Sequence, residues 1–375
     1  MEFGLSQDQV LLTDSVNRFL ADRAGLANAR RFAAGSARSD AALLKGLSEL
    51  GVTGLLIPEA HGGVGLTLLD AALVSERLGA AIAPAPFVAN AVMAPLALLE
   101  GGSPQQQADW LPRIASGAAV VGAALAEASG ARDGAGVTAR NGKLAGKALF
   151  VLDFEADAYI VADKDGALHL VARDARGLSR VDLQSIDRTR PIGELVFADT
   201  PAEPLPRSGV GETRSGAGMG RGRAVLTRVL DAGRVTLAAD ALGAAQSMLD
   251  QAVAYAKERE QFGRKIGSFQ AVKHLCAEMA AALEPSRALV WYAAFAADAL
   301  PDEAHLNACH AKAHLAEVGK FVAKTATEVH GGMGFTDLLG LHYWFKRIGF
   351  DRQMLGTPER LRDEAARAQG LIAAG

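Results

Sequence analysis

The sequence predicts an α+β chain that is mostly α. An N-terminal helical domain leads into a small middle β-barrel or sandwich domain, and a C-terminal four-helix bundle domain follows. Three observations predict this. Alanine and leucine dominate a composition that is 50% hydrophobic but only 6% aromatic, which suits packed helices more than sheets. Helical periodicity gives way near Ala118 to short apolar or alternating runs punctuated by Asn-Gly and Asp-Gly turns. After a glycine-rich stretch, long helical patterns return and run to the C-terminus. The expected boundaries are 1–118, 119–222 and 223–375.

In the first third, Ser6 followed by Gln9 reads as a capping box opening a helix that carries Val10, Val16 and Leu20. Ala41 to Leu50 reads as a second helix. Gly51 to Pro58 reads as a buried segment, and Glu59 to Leu66 as a glycine-rich turn in which His61 is a loop histidine. Thr67 caps a helix through Leu78, and an apolar helix spans Asn90 to Leu99 after Pro84 and Pro86.

In the middle third, strands are expected at Val120 to Glu127, Ala148 to Val151, Ala158 to Ala162, Leu168 to Val171 and Leu195 to Ala198. Asn141-Gly142 and Asp165-Gly166 are hairpin signals between them. Residues 119–205 therefore read as a small antiparallel sheet or barrel. Gly209 to Arg223 has a glycine spacing superficially like a dinucleotide fingerprint. No apolar strand precedes it and no βαβ alternation surrounds it, so it reads as a linker.

The last third holds long helices over Ala224 to Lys257, Ala271 to Ala297 and Leu306 to Val329. Thr336 is expected to cap a final long helix to Met354, with Glu359 to Leu371 as a charged tail. From Val235 to Leu249 the only charge is Asp240, on a helix apolar all round. A buried carboxylate must be paired, line a cavity, or stay neutral, so Asp240 is either a base in a pocket or a structural acid. Cys309, His310 and His314 lack a further ligand for a metal site.

The bulk numbers narrow function. The net charge of -3 gives no reason to expect nucleic acid or an anionic membrane as partner. Cys276 and Cys309 are the only cysteines, so no disulfide framework is possible and a reducing, cytoplasmic setting is expected. The first residues show neither a basic nor an apolar leader pattern, and no run of about 18 uncharged apolar residues suggests a membrane span.

Tyr255 to His274 carries the densest signal. A helix ends in charge, breaks at Gly263 and Gly267, and restarts at Gln270. Cations, bare backbone and a helix start together suit a pyrophosphate. With Arg259-Glu-Gln-Phe-Gly263, His330-Gly-Gly-Met-Gly-Phe-Thr336 and Pro58-Glu-Ala-His-Gly-Gly-Val-Gly-Leu66 alongside it, nearly the whole chain resembles the flavin-dependent acyl-CoA dehydrogenase family. Within it, the chain resembles the subunits of heterotetrameric actinobacterial-type steroid side-chain dehydrogenases.

The resemblance implies α,β-dehydrogenation of an acyl-CoA thioester with FAD, in lipid or steroid catabolism. It implies a homo- or heterotetramer and electron-transfer flavoprotein as electron acceptor. It also implies that Arg259, Gln261 and Phe262 meet a neighbouring subunit's FAD, with Gln270, Glu328, Gly331 and Gly332 lining the same region. Glu328 stands where a glutamine is frequent.

Both positions that usually supply the catalytic base depart from the pattern. Leu355 stands before Gly356-Thr357, and Gly233 before Arg234. Asp240, seven residues after Gly233, falls on nearly the same helix face and is the candidate base. The alternatives are a non-catalytic partner subunit and the same fold with different chemistry. Ala126 to Gly130 replaces the family's Thr-Glu-Pro-Gly-like turn, and Phe150 to Asp153 its Trp-containing strand.

Overall fold

The structure, a computed structural model, describes residues 4–35, 39–125, 128, 135–206 and 221–372. Six helices lead: α1 (Gln7–Arg23), α2 (Leu26–Ala34), α3 (Ala41–Glu49), α4 (Leu68–Ala80), α5 (Ala94–Gly101) and α6 (Pro104–Ala115). The capping box of α1 is made: Gln9 N donates to Ser6 Oγ at 3.2 Å, and Ser6 N to Gln9 Oε1 at 3.0 Å. At α4, Thr67 N donates to Asp70 Oδ2 at 2.9 Å. The apolar helix expected from Asn90 instead opens as a π-turn, Val88–Met93, running on into α5. Asp153 holds its start by accepting from Ala89 N and Asn90 N at 2.8 and 3.0 Å.

Two four-stranded sheets follow. The first has order β1 (Val121–Ala124), β4 (Ala158–Ala162), β5 (Leu168–Ala172) and β8 (Glu203–Pro204). The second has order β2 (Gly136–Arg140), β3 (Lys143–Val151), β7 (Ile192–Pro201) and β6 (Leu178–Leu183). All pairs are antiparallel except β1 with β4. Asn141 and Gly142 both take positive φ, 50° and 71°, as a two-residue β2–β3 turn requires. Val137, Leu144, Phe154, Tyr159, Leu195 and Phe197 fill the space between the sheets. The altered turn at Ala126 to Gly130 lies outside the described residues apart from Ala128. So does the expected linker, up to the first residue of the next helix.

The C-terminal part comprises α7 (Arg221–Glu258), a two-stranded hairpin of β9 (Glu260–Gln261) and β10 (Arg264–Lys265), α8 (Gln270–Ala299), α9 (Pro301–His330), α10 (His342–Gln353) and α11 (Pro358–Ala368). Two expectations are corrected here. Thr336 does not cap the last long helix: its Oγ1 donates to Met333 O at 2.8 Å, closing a turn, and α10 begins only at His342. The residues expected as a charged tail are helix α11, capped by Thr357. It is strongly amphipathic, and Leu361 and Ala365 bury against Cys309 and Ala313 of α9.

Helix α7 is the axis of the molecule. Its alanines and leucines join the core shared with α4, α8, α9 and α10. Its first turns join a second core with α5, α6 and β1. Where α4 crosses it the backbones touch: a Cβ on Gly79 would collide with the Asp240 carbonyl, and one on Gly243 with the Glu76 carbonyl.

Candidate functional site

A cavity of about 530 Å³ opens between the β domain and the C-terminal helices. Leu125, Phe150, Ser185, Ile186 and Ile192 line one side. Phe350, Gln353, Leu355, Thr357 and Arg360 line the other. Phe150 reaches it because β3 bulges between Ala148 and Val151, and Phe150 itself sits at φ 52°. Leu355 also has positive φ, 57°, an uncommon conformation for leucine, followed by Gly356 at 113°. Arg234 pins this turn: its Nε donates to Leu355 O at 3.0 Å.

The two usual base positions converge in space. A Cβ on Gly233 would lie 2.6 Å from Leu355 Cδ1 and 2.7 Å from Met93 Sδ. Leu355 lines the cavity, Gly233 lies against its side chain, and neither carries a carboxyl. Among the described residues that line the cavity there is no acid.

Asp240 is elsewhere. It is fully buried, does not line the cavity, and lies in an ion network with both oxygens engaged. Arg190 donates to Oδ2, and Arg347 Nη1 approaches both oxygens at 3.3 Å. Arg347 also donates to Asp187 at 2.6 Å, Thr189 Oγ1 at 2.6 Å and Ala83 O at 3.1 Å. Arg190 reaches Asp351 at 3.3 Å. Burial, then the neighbouring Asp240, pushes the Asp351 carboxyl well above its ordinary range. Burial pushes Lys312, whose Nζ donates to Arg352 O at 3.3 Å, down to about 7. A proton acceptor needs an open side toward the substrate, and two guanidiniums close Asp240's. Of the two readings the sequence leaves open for Asp240, a base in a pocket or a structural acid, its position in this ion network and away from the cavity favours the second. The network's signal in the sequence was Asp240 alone, because its partners lie 50 and 107 residues away.

The predicted cofactor residues gather at the other end of α7. Arg259, Gln261 and Phe262 sit on the exposed β9–β10 hairpin, with Phe262 92% exposed at φ 53°. Gln270 begins α8, and Glu328, Gly331 and Gly332 lie at the end of α9. The Tyr255 and His330 rings, 4.6 Å apart, hold the two turns together. None of these residues lines the cavity. Cys309 does not gather His310 and His314, which are exposed; it meets His305 and Asp231 instead.

Residues 6–118 match the family model for the acyl-CoA dehydrogenase N-terminal domain, and residues 220–370 the one for the C-terminal domain. The chain is 30% identical to the acyl-CoA dehydrogenase IpdE2 of Mycobacterium tuberculosis over 95% of each chain. The chain belongs to the acyl-CoA dehydrogenase family. It is also 30% identical to the short-chain specific mitochondrial acyl-CoA dehydrogenase of Bos taurus, over 80% of this chain and 75% of that one. Among solved structures it is similar to a point variant of the Tcur3481-Tcur3483 steroid ACAD, at 29% identity and TM-score 0.85, over 97% of this chain and 98% of that one. The ChsE4-ChsE5 complex from Mycobacterium tuberculosis matches at 25% identity and TM-score 0.86, over the whole of both chains.

The family is flavin dependent, with FAD as its usual cofactor. The hairpin end of this chain fits the pyrophosphate side of such a group. Arg259 offers an exposed guanidinium fork. A Cβ on Gly331 or Gly332 would meet nothing within 4 Å, so bare backbone is open to approach. Glu328, an exposed acid beside them, adds no phosphate contact. No described helix is long and apolar enough to cross a membrane.

Proposed function

We propose that this chain is the partner subunit of a heterotetrameric FAD-dependent acyl-CoA dehydrogenase, building flavin and substrate sites while another subunit supplies the catalytic base. The observation that carries this is that Leu355, with Gly233 against its side chain, lines a cavity whose described lining has no carboxylate. Removing an α proton from a thioester requires a positioned base, and leucine has no proton affinity. Two of the similar solved structures, the Tcur3481-Tcur3483 steroid ACAD variant and the ChsE4-ChsE5 complex, pair differently named proteins, in keeping with two kinds of subunit.

In this reading Arg259, Gln261 and Phe262 reach a neighbouring subunit's FAD, with Gln270, Gly331 and Gly332 alongside and Glu328 at the edge. FAD, when bound, supplies the hydride acceptor. This chain's residues bind and orient. Arg259 holds phosphate oxygens, the glycine turn admits the cofactor closely, and Phe150, Ile186, Phe350 and Leu355 exclude water from the cavity wall. Electron-transfer flavoprotein as acceptor and a cytoplasmic location belong to the same reading.

The test is to purify the chain alone and together with a base-carrying paralogue from the same genome, and to measure bound FAD and its reduction by acyl-CoA. The expected result is flavin reduction only in the two-component complex. A yellow homotetramer of this chain alone that reduces its flavin with acyl-CoA would refute it.

A further inference from the structure

The described lining of the cavity holds one charge. Phe150, Ile186, Ile192, Phe350 and Leu355 make apolar walls, and Arg360 is the single ionised side chain among the lining residues. Such an arginine is either a surface residue that overhangs the mouth or the group that orients a ligand. Its surroundings favour the second.

Helix α11 fixes Arg360 in place. The next residue, Leu361, is fully buried, and Thr357 Oγ1 accepts from Arg360 N at 3.5 Å. The guanidinium is tethered on one edge only. Its Nε donates to Glu364 Oε1 at 3.0 Å, one helix turn on, while neither Nη group makes a described hydrogen bond. Glu364 is not a full counter-charge, because its other oxygen lies 2.8 Å from Arg234 Nη2. Glu359, the neighbouring acid, is taken by Arg352 at 3.2 Å. Two donors of a cation thus stay free where the cavity opens.

The Arg360 side chain is 45% exposed, so it stands at the solvent edge of the cavity and not at its floor. A ligand that fits has an apolar body for the walls and an oxyanion where it emerges into water. A planar fork with two free donors matches two oxygens of a phosphate. A carboxylate on the far end of an acyl chain would sit deep in the cavity, away from this rim.

We propose that Arg360 binds a pyrophosphate at the mouth of the cavity. The inference rests on the functional reading above and adds to it a contact within the site that this chain itself encloses. Arg259 lies on the exposed hairpin and does not line the cavity, so the two guanidiniums hold different bound molecules. FAD and a CoA thioester both carry an adenosine diphosphate, and a pantetheine thioester does not.

The test uses the full-length protein, with its partner subunit where one is bound, and reads binding rather than turnover. Arg360→Gln is compared with wild type and with Arg360→Lys. FAD release on dilution is followed by fluorescence. Butyryl-CoA and butyryl-pantetheine are titrated calorimetrically at saturating FAD. The expected loss in Arg360→Gln is about 10-fold, the low end for a charge-assisted hydrogen bond because the group is half exposed. Weaker FAD retention, with a flatter dependence on salt, assigns the pyrophosphate to the flavin. Weaker butyryl-CoA binding, with butyryl-pantetheine unchanged, assigns it to CoA. Arg360→Lys keeps the charge and should recover part of either loss. If Arg360→Gln alters neither ligand, weakens FAD with an unchanged salt dependence, or weakens both thioesters equally, the proposal is overturned and the partner-subunit reading stands. A wild-type protein that binds neither FAD nor a CoA thioester overturns both.

Discussion

Gly233 and Leu355 occupy each other's space: a Cβ on Gly233 would lie 2.6 Å from Leu355 Cδ1. Gly233→Ala is expected to destabilise the protein, because overpacking costs about 1–3 kcal/mol against a helix-propensity gain of about 0.5–1 kcal/mol. In a Leu355→Ala background the same change should become stabilising, since the nearest contact is then removed and the flexible Met93 beside it can move aside. Denaturant midpoints of the four proteins of this cycle check the sign reversal.

Restoring an acid at the same spot tests the assignment of roles. Leu355→Glu places a carboxyl on the cavity wall, where apolar neighbours raise its proton affinity toward that of a working base. The flavin site built with this chain should then reduce with acyl-CoA about 10²-fold or more above the unsubstituted protein, the usual scale of a positioned base. Stopped-flow flavin absorbance measures it. No gain, with FAD and substrate binding intact, would mean that the cavity is not a dehydrogenation site.

Asp240→Asn separates a structural acid from a base. Removing one member of a buried ion network costs about 3–5 kcal/mol because the partner charges stay buried. The variant should unfold at clearly lower temperature and lose flavin and activity together. An unchanged melting temperature with selective loss of flavin reduction would restore Asp240 as the base.

Two bases, half-buried His305 and buried Lys312, give opposite pH dependences. His305 is raised from 6.5 to about 10, so its contribution to stability is complete below pH 6.5 and is lost as pH rises through 10. Lys312 is lowered from 10.5 to about 7, so it destabilises below pH 7 and that penalty fades as pH rises to 10.5. The wild-type curve therefore mixes the two. The difference between wild type and His305→Gln should shrink with rising pH. Lys312→Met should stabilise most below pH 7. Urea midpoints from pH 6 to 10 on all three proteins check both signs.

Arg259→Ala should weaken FAD retention about 10- to 100-fold, the scale of a lost charge-assisted hydrogen bond of roughly 1.5–3 kcal/mol. It should leave the melting temperature of the isolated chain unchanged, since Arg259 is exposed. Flavin release on dilution, followed by fluorescence, provides the measurement.

How much of this was legible depended on distance along the chain. The capping residues Ser6 and Thr67, and the Asn141-Gly142 turn, act within a few residues, and each stands where the sequence put it. Strand β6, with mostly exposed and half-exposed residues, has no apolar alternation to read, so it was missed. Helix α11 looked like a tail because its buried side is just Pro358, Leu361 and Ala365 among charged residues. In the site, Leu355 and Gly233 could each be named in advance. Their contact joins residues 122 positions apart and needed the fold.

The ion network that holds Asp240 also anchors Asp187, Thr189 and Arg190, the residues that follow the cavity's Ser185 and Ile186. That wall is thus positioned by charges that mobile ions cannot reach. The hairpin, whose Lys265–Glu260 pair is exposed, lies in the open electrolyte. Ionic strength should therefore act on the two ends of α7 unequally. Added salt loosens whatever grips the hairpin and leaves the shape of the cavity as it was.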